Sequence, residues 1–208
     1  MEKGKFISFE GIEGVGKSTT IFEVEKFLIQ KNIQVYRTRE PGGTEFGEKI
    51  RDLLLSKESI IPVDSELLLL FAIRYQHIKE VIEPKLNSGI WVLCDRFIDA
   101  SFAYQGYGKK VNLEKIELLV ENFTRKIIPD LTFFFNLSYD LAKKRFPESK
   151  TKDRFENLDD KFFEDVYLGY LELLKKNPDR IKNIDSKRNK EEVLKQITDV
   201  IMDCFKIK

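Results

Sequence analysis

The sequence predicts a doubly wound α/β fold, a parallel sheet with helices on both faces, and three observations carry that prediction. Strand-length apolar runs alternate with helical patterns along all 208 residues. Several of those runs are continuous instead of alternating, which marks strands covered on both sides. A glycine-rich loop joins the first run to the first helix. Strands are expected at Phe6 to Glu10, Ile33 to Arg39, Ile90 to Asp95, Leu131 to Leu137 and Ile181 to Asp185. The first helix opens near Gly16 and reaches Leu28; others run from Thr44 to Ser56, from Asp64 (a candidate N-cap) to Leu86, from Leu113 to Lys126, and from Lys190 to Phe205. Phe163, Val166, Tyr167, Tyr170, Leu171 and Leu174 share one helical face, and Asn177-Pro178 ends that helix. No internal repeat, low-complexity linker or break interrupts the alternation, so a single domain over residues 1–208 is expected.

Charge and cysteine content narrow the classes. Lys plus Arg number 36 against 35 Asp plus Glu, so no excess charge favours a nucleic acid or an anionic membrane, and any phosphate binding must be local. Cys94 and Cys204 are too few and too far apart for a disulfide scaffold or a C-x-x-C metal site, which fits a reducing compartment; Cys94, in an apolar run, reads as core. No apolar stretch reaches membrane-spanning length, and Met1 to Lys5 leads into a strand too short for a signal peptide's apolar region, so a cytoplasmic protein is expected. His77 is the only histidine and reads as a helix surface or interface residue, not a metal ligand.

The stretch Gly11-Ile12-Glu13-Gly14-Val15-Gly16-Lys17-Ser18 has the spacing G-x-x-x-x-G-K-S between a strand and a helix. Its glycines let the backbone bend around a polyphosphate with the N–H groups inward, and the helix start adds partial positive charge. Lys17 supplies a full charge for the β- and γ-phosphates, and Ser18 a hydroxyl for Mg²⁺. The apolar strand ending in Asp95 matches the pattern whose carboxylate orders that ion or its waters. Arg96, directly after it, suits a two-pronged grip on a second phosphate, which argues for a phosphorylated acceptor; its plainer alternative is an ion pair with Asp95. Three strand ends therefore converge on one edge: Glu10 with the loop, Thr38 to Thr44, and Asp95-Arg96-Phe97.

With Phe9 to Ser18, Thr38-Arg39-Glu40-Pro41-Gly42-Gly43-Thr44, Phe71-Ala72-Ile73-Arg74, Asp95-Arg96-Phe97 with Ala103-Tyr104-Gln105-Gly106, and Asp153-Arg154-Phe155-Glu156 with Tyr170-Leu171-Glu172-Leu173, the sequence strongly resembles the thymidylate kinase family over nearly its whole length. The resemblance implies a P-loop kinase with a five-stranded parallel sheet and a mobile lid. It also implies phosphorylation of dTMP by ATP with Mg²⁺, a step in dTTP synthesis, and a homodimer. It further implies that Phe71 stacks on thymine and Arg74 bonds the base edge. By the same resemblance Ser101 would lie near the base, Tyr104 would pack against C2′ and exclude a ribose hydroxyl, and Glu13 would meet the 3′-OH. The resemblance likewise implies that Arg39 and Arg96 stand near the acceptor phosphate, with Arg51 a weaker candidate, and that Pro41 and Gln105 complete the acceptor set. Without the resemblance, Phe71 and Arg74 read as ordinary helix packing with a solvated arginine.

Relatives with an arginine inside the phosphate loop use it on the transferring group, whereas the matching positions here are Glu13, Gly14 and Val15. The charge is therefore expected from a lid at about residues 143–154, where Arg145, Lys150, Lys152 and Arg154 stand as alternatives among lysines that lack the arginine fork. Two other functions compete. A kinase for GMP, AMP or CMP shares the loop and Asp95-Arg96. A GTP-binding switch protein would need N-K-x-D and D-x-x-G segments, which the sequence lacks.

Overall fold

The structure, a computed structural model, describes residues 2–124, 127–145 and 159–207. Five parallel strands form one sheet in the order β2-β3-β1-β4-β5: β1 (Phe6–Glu10), β2 (Val35–Arg39), β3 (Trp91–Asp95), β4 (Leu131–Asn136) and β5 (Ile181–Asp185). All of β1 is buried, as a central strand requires, while edge strand β2 is buried nowhere along its length. Side chains alternate across the sheet. Ile7 and Phe9 join Ile21, Val24 and Leu28 of α1 (Lys17–Gln30) in one cluster; Phe6 joins Ile78, Ile82 and Phe97 in another. Cys94 is buried, as expected.

α2 (Glu45–Leu55) starts at Thr44, whose side chain accepts from the Gly47 N–H. The long helix expected from Asp64 to Leu86 is one continuous rod in three parts: α3 (Val63–His77), a π-helical turn (Ile78–Ile82) and α4 (Glu83–Asn87). Asp64 is not its cap. The helix begins one residue earlier, after Pro62, and Asp64 and Glu66 complement the dipole from within the first turn. α6 (Leu113–Phe123) ends before the expected Lys126, which lies outside the described residues. α8 (Asp160–Lys176) and α9 (Lys190–Phe205) complete the expected set, the latter closed by a capping box between Asn189 and Glu192.

Two helices were not foreseen, α5 (Ile98–Ser101), which runs into a π-helical segment Phe102–Gly108, and the short α7 (Tyr139–Lys143). The Ile98–Gly108 stretch contains two glycines and lacks a clear apolar period, so its shape is imposed by α8. A Cβ at Gly108 would stand 2.5 Å from the Phe162 ring, and one at Gly169 would stand 2.8 Å from Tyr107. Both glycines are needed for the two helices to approach this closely.

Polar ties fix the carboxyl edge of the sheet. Glu10, at the end of β1, accepts from the Phe97 N–H at 2.7 Å and the Tyr170 hydroxyl at 2.8 Å, so one carboxylate joins β1, the turn after β3 and α8. Burial, reinforced by the Asp99 charge, pushes the Glu10 carboxyl up from 4.5 to about 7, although Arg96 and both hydrogen bonds pull it down.

Two expectations follow from this packing. Gly169→Ala gains up to about 1 kcal/mol of helix propensity but drives a methyl into Tyr107, a strain of about 1–3 kcal/mol. The thermal midpoint should therefore fall by several degrees; a midpoint unchanged or raised would mean that Tyr107 yields. For Glu10, the folded protein holds a proton up to about pH 7 that the unfolded chain releases near 4.5. The native state binds more protons in that window, so the contribution of Glu10 to stability declines as pH rises through it. Melts between pH 5 and 8 should show a smaller decline for Glu10→Gln than for the unsubstituted chain, and parallel declines would remove Glu10 as the source.

Candidate active site

Past Glu10 the chain turns through Gly11, Gly14 and Gly16 with φ of 134°, 75° and 93°, left-handed values that glycine alone adopts freely. At Gly11 a Cβ would also press to 3.0 Å on the Phe135 carbonyl oxygen. Ile12 and Val15 are buried and pin the loop to the core, leaving its backbone to line the surface above. Lys17 lies folded over the loop, its Nζ donating to the Gly11 and Ile12 carbonyls at 2.9 and 2.8 Å. Burial, with Arg96 acting the same way, lowers the Lys17 ammonium to about 8 against the opposing pull of Asp95, Glu13 and Glu10.

Ser18 follows on the first turn of α1, and its hydroxyl donates to Asp95 Oδ2 at 3.3 Å. The other oxygen, Asp95 Oδ1, is buried and has no hydrogen-bond partner. An orphaned carboxylate oxygen beside a hydroxyl is a set of hard oxygen donors, which fits Mg²⁺. Among the described residues no cluster of three or more His, Cys, Asp or Glu side chains could hold a metal by itself. Phosphates and water would have to supply the remaining ligands.

Arg96 adopts φ of 69°, unusual for a residue with a side chain, and its N–H bonds the Phe9 carbonyl at 2.9 Å. That turn aims the guanidinium back at the loop. It meets Glu13 at 2.7 Å and the Tyr170 hydroxyl at 3.2 Å, and lies 4.7 Å from the centre of the Tyr104 ring. The ion pair is thus with Glu13, not Asp95. Tyr104 donates its hydroxyl to the other Glu13 oxygen at 2.8 Å. Burial raises the Glu13 carboxyl, but the Arg96 and Lys17 charges and the Tyr104 bond outweigh it and hold the group below its usual range.

Beside this cluster opens a cleft with about 640 Å³ of empty space, the open solvent at its mouth included. Glu13, Arg96 and Tyr104 form its floor side, joined by Pro41, Arg51, Arg74, Ser101 and Gln105. Eight of the expected acceptor residues therefore share one cavity. Arg74 is its most constrained wall. The side chain is 3% exposed as a residue and lies 4.8 and 5.3 Å from the centres of the Phe71 and Phe97 rings.

Two expected residues are elsewhere. Phe71 packs with Leu67, Val111 and Ile116 in a core cluster between α3 and α6, and Leu70, one position earlier, lines the cavity with Leu55. The helix phase, set by what packs behind it, turns Leu70 and Arg74 to the same side. Arg39 is half exposed, pairs with Glu48 at 2.7 Å, and lines a neighbouring open cleft that also contains Ser18 and Asp95. Arg51 donates to the Pro41 carbonyl at 2.6 Å. His77, expected at a helix surface or interface, is fully buried between Glu40 and Thr38. Arg145 donates to the Ser186 carbonyl at 2.9 Å, whereas Lys150, Lys152 and Arg154 lie outside the described residues. Sequence reasoning missed Glu40, Leu55, Leu70, Phe97 and Ala100 as cavity walls. Only Leu70 had an available signal, its spacing of four from Arg74.

Comparison with known proteins agrees with this geometry. The family model described as thymidylate kinase matches residues 9–197. A thymidylate kinase of Vesicomyosocius okutanii is 46% identical over 198 residues, 95% of this chain and 97% of that protein. One from Nitrosomonas eutropha is 42% identical over 201 residues, covering 97% and 94%. The crystal structure of thymidylate kinase from Ehrlichia chaffeensis superposes with a TM-score of 0.80 at 32% identity, over 96% of this chain and 99% of that one. With the phosphate loop, Asp95-Arg96 and the adjoining cavity in one frame, these matches make the chain a member of the thymidylate kinase family.

Proposed function

We propose that this chain transfers the γ-phosphoryl group of ATP to dTMP, giving dTDP and ADP. The observation that carries the reading is Glu13: a phosphate-loop residue is also a wall of the acceptor cavity and grips Arg96, so donor and acceptor phosphates must meet there. A phosphate oxygen of dTMP attacks the γ-phosphorus in line with the bond to the β-bridging oxygen, which breaks as ADP leaves. The acceptor phosphate is already ionised at neutral pH, so no protein base is needed, and the protein contributes position and positive field. Arg96 and Arg51 supply charge on the acceptor side. Lys17 turns from the Gly11 and Ile12 carbonyls to the polyphosphate, whose negative charge favours the ammonium form that burial disfavours.

Ser18 and Asp95 would hold Mg²⁺, which when bound offsets charge on the β- and γ-phosphates. Arg74 reads the base edge beside Ser101 and Gln105, and Leu70 with Leu55 provides the apolar wall that Phe71 was expected to give. Tyr104, held by Glu13, fills the space beside C2′. A lid cation from Lys150, Lys152 or Arg154 completes the field, while Arg145 is tied to the Ser186 carbonyl.

The reading further takes the chain as one cytoplasmic domain acting on nucleotides without nucleic acid or membrane, which the near balance of 36 cationic and 35 anionic side chains supports. It also takes two copies to pair. Leu68 and Tyr75, exposed and two turns apart on α3, support an apolar contact there.

A coupled ADP-release assay across dTMP, GMP, AMP and CMP should show preference for dTMP; preference for another monophosphate would overturn the assignment. Lys17→Ala should lower kcat about a thousandfold. Its melting midpoint should stay level or rise, since the fold disfavours that ammonium. Retained turnover would refute the role given to Lys17.

A further inference from the structure

Glu40 has no place in the reaction described above, yet both of its carboxylate oxygens are engaged beside the acceptor cavity. It is 5% exposed. Its Oε2 accepts from Arg74 Nε at 2.6 Å, and its Oε1 faces His77 Nδ1 at 3.2 Å. On the far side of the ring, His77 Nε2 meets the Thr38 hydroxyl at 2.8 Å. The space for this ring exists because residue 43 is glycine: a Cβ there would run into the imidazole. The Glu40 N–H is itself bonded to the Asp95 carbonyl at 2.9 Å, so the residue is rooted in the strand end that carries the Mg²⁺ candidate.

Arg74 and His77 stand three residues apart on one face of α3, and one carboxylate takes both. The other Arg74 bonds go to Ser101 Oγ at 3.0 Å and the Phe97 carbonyl at 3.1 Å. Three of the five guanidinium N–H groups are thereby assigned among the described residues, and the two aromatic rings hold its plane. The remaining donors sit on Nη1 and Nη2, at the end of the side chain opposite Nε. Glu40, by holding Nε, determines which way those two donors point. A buried arginine also needs a full negative partner; without one the charge seeks another carboxylate, and Glu13 is a second wall of the same cavity.

We infer that Glu40, backed by His77, is the positioning residue that sets acceptor-base discrimination by fixing the direction of the free Arg74 donors. The inference rests on the reading that Arg74 faces the base of the acceptor. An arginine can only donate, so it suits the O4 acceptor of thymine and not the amino group that cytosine carries at the matching place. A rigidly aimed donor rejects the wrong edge, whereas one free to swing does not.

The test is steady-state kinetics of the full chain with ATP and dTMP, dUMP or dCMP, alongside thermal melts, for the unsubstituted chain, Glu40→Gln and His77→Gln. Glu40→Gln keeps the shape but removes the charge and presents either an acceptor or a donor to Nε. It should raise KM for dTMP about tenfold and leave kcat and the KM for ATP within about threefold. The preference for dTMP over dCMP in kcat/KM should shrink by about tenfold, with dUMP, which keeps O4, moving in step with dTMP. His77→Gln should act in the same direction by about threefold, because Glu40 then loses only its backing. An unchanged dTMP-to-dCMP ratio in both folded variants, or a loss confined to kcat, would overturn the inference. If Glu40→Gln melts below the assay temperature, His77→Gln, which keeps the Glu40–Arg74 charge pair, decides by the same ratio. An unsubstituted chain that prefers AMP or GMP would instead refute the acceptor reading itself, and this inference with it.

Discussion

The contact between Arg96 and Glu13 is the constraint around which the site is built. At 2.7 Å it joins a residue from the strand-end turn after β3 to one inside the glycine loop after β1. Adjacent parallel strands make such a meeting natural, since Phe9 and Asp95 are paired in register and their successors emerge side by side. The left-handed backbone of Arg96 then decides its direction. In an extended continuation the guanidinium would leave the edge; with φ of 69° it folds across to the loop. Tyr104 and Tyr170 close over it from the π-helical segment and α8, so two helices that carry neither phosphate motif still determine where the cation stands.

Charge in this edge is arranged before any ligand arrives. Lys17, Arg96, Glu10 and Glu13 lie together in a region mostly shielded from water, where unpaired charges would be costly. Each has a partner: loop carbonyls for Lys17, Glu13 for Arg96, the Phe97 N–H and Tyr170 hydroxyl for Glu10. Such an arrangement is preorganised for anions. A polyphosphate replaces the carbonyls in front of Lys17 with stronger acceptors and leaves the Arg96 ion pair in place, so binding requires one side chain to turn and little else.

How much of this could be read from letters depends on the range of the forces involved. The five strands and the phosphate loop are local patterns, apolar runs and glycines at fixed spacing, and they appear within two residues of where they were expected. The π-helical segment Phe102–Gly108 is not local. Its form depends on Phe162, Val166 and Gly169, about sixty residues later. Helix phase failed in a similar way. Phe71 and Leu70 both lie one turn before Arg74, and the larger aromatic invites the functional reading, but Val111 and Ile116 claim it for the core. His77 misled for the opposite reason: a solitary histidine reads as a helix surface or interface residue, and nothing near it in sequence announces that Glu40 and Gly43 make room for it.

Burial is the first reason the Glu10 carboxyl is pushed up, and a second carboxylate adds to it. Asp99, buried on α5, acts on Glu10 electrostatically and cannot share an uncompensated negative charge with it in a dry environment. The fold gives Asp99 the stronger cation: Arg180 engages both of its oxygens at 2.7 and 2.8 Å, and the same guanidinium nitrogen reaches the Thr132 hydroxyl at 2.7 Å. Glu10 receives only a backbone N–H and a phenol, while the nearest guanidinium, Arg96, spends itself on Glu13. Asp99 thus holds a bidentate arginine, whereas burial and two neutral donors leave the Glu10 carboxyl raised to about 7. That division leaves Arg96 with one strong anionic partner instead of two. An arginine gripped by both Glu10 and Glu13 would have its field largely cancelled, and a phosphate would have to compete with two carboxylates for it.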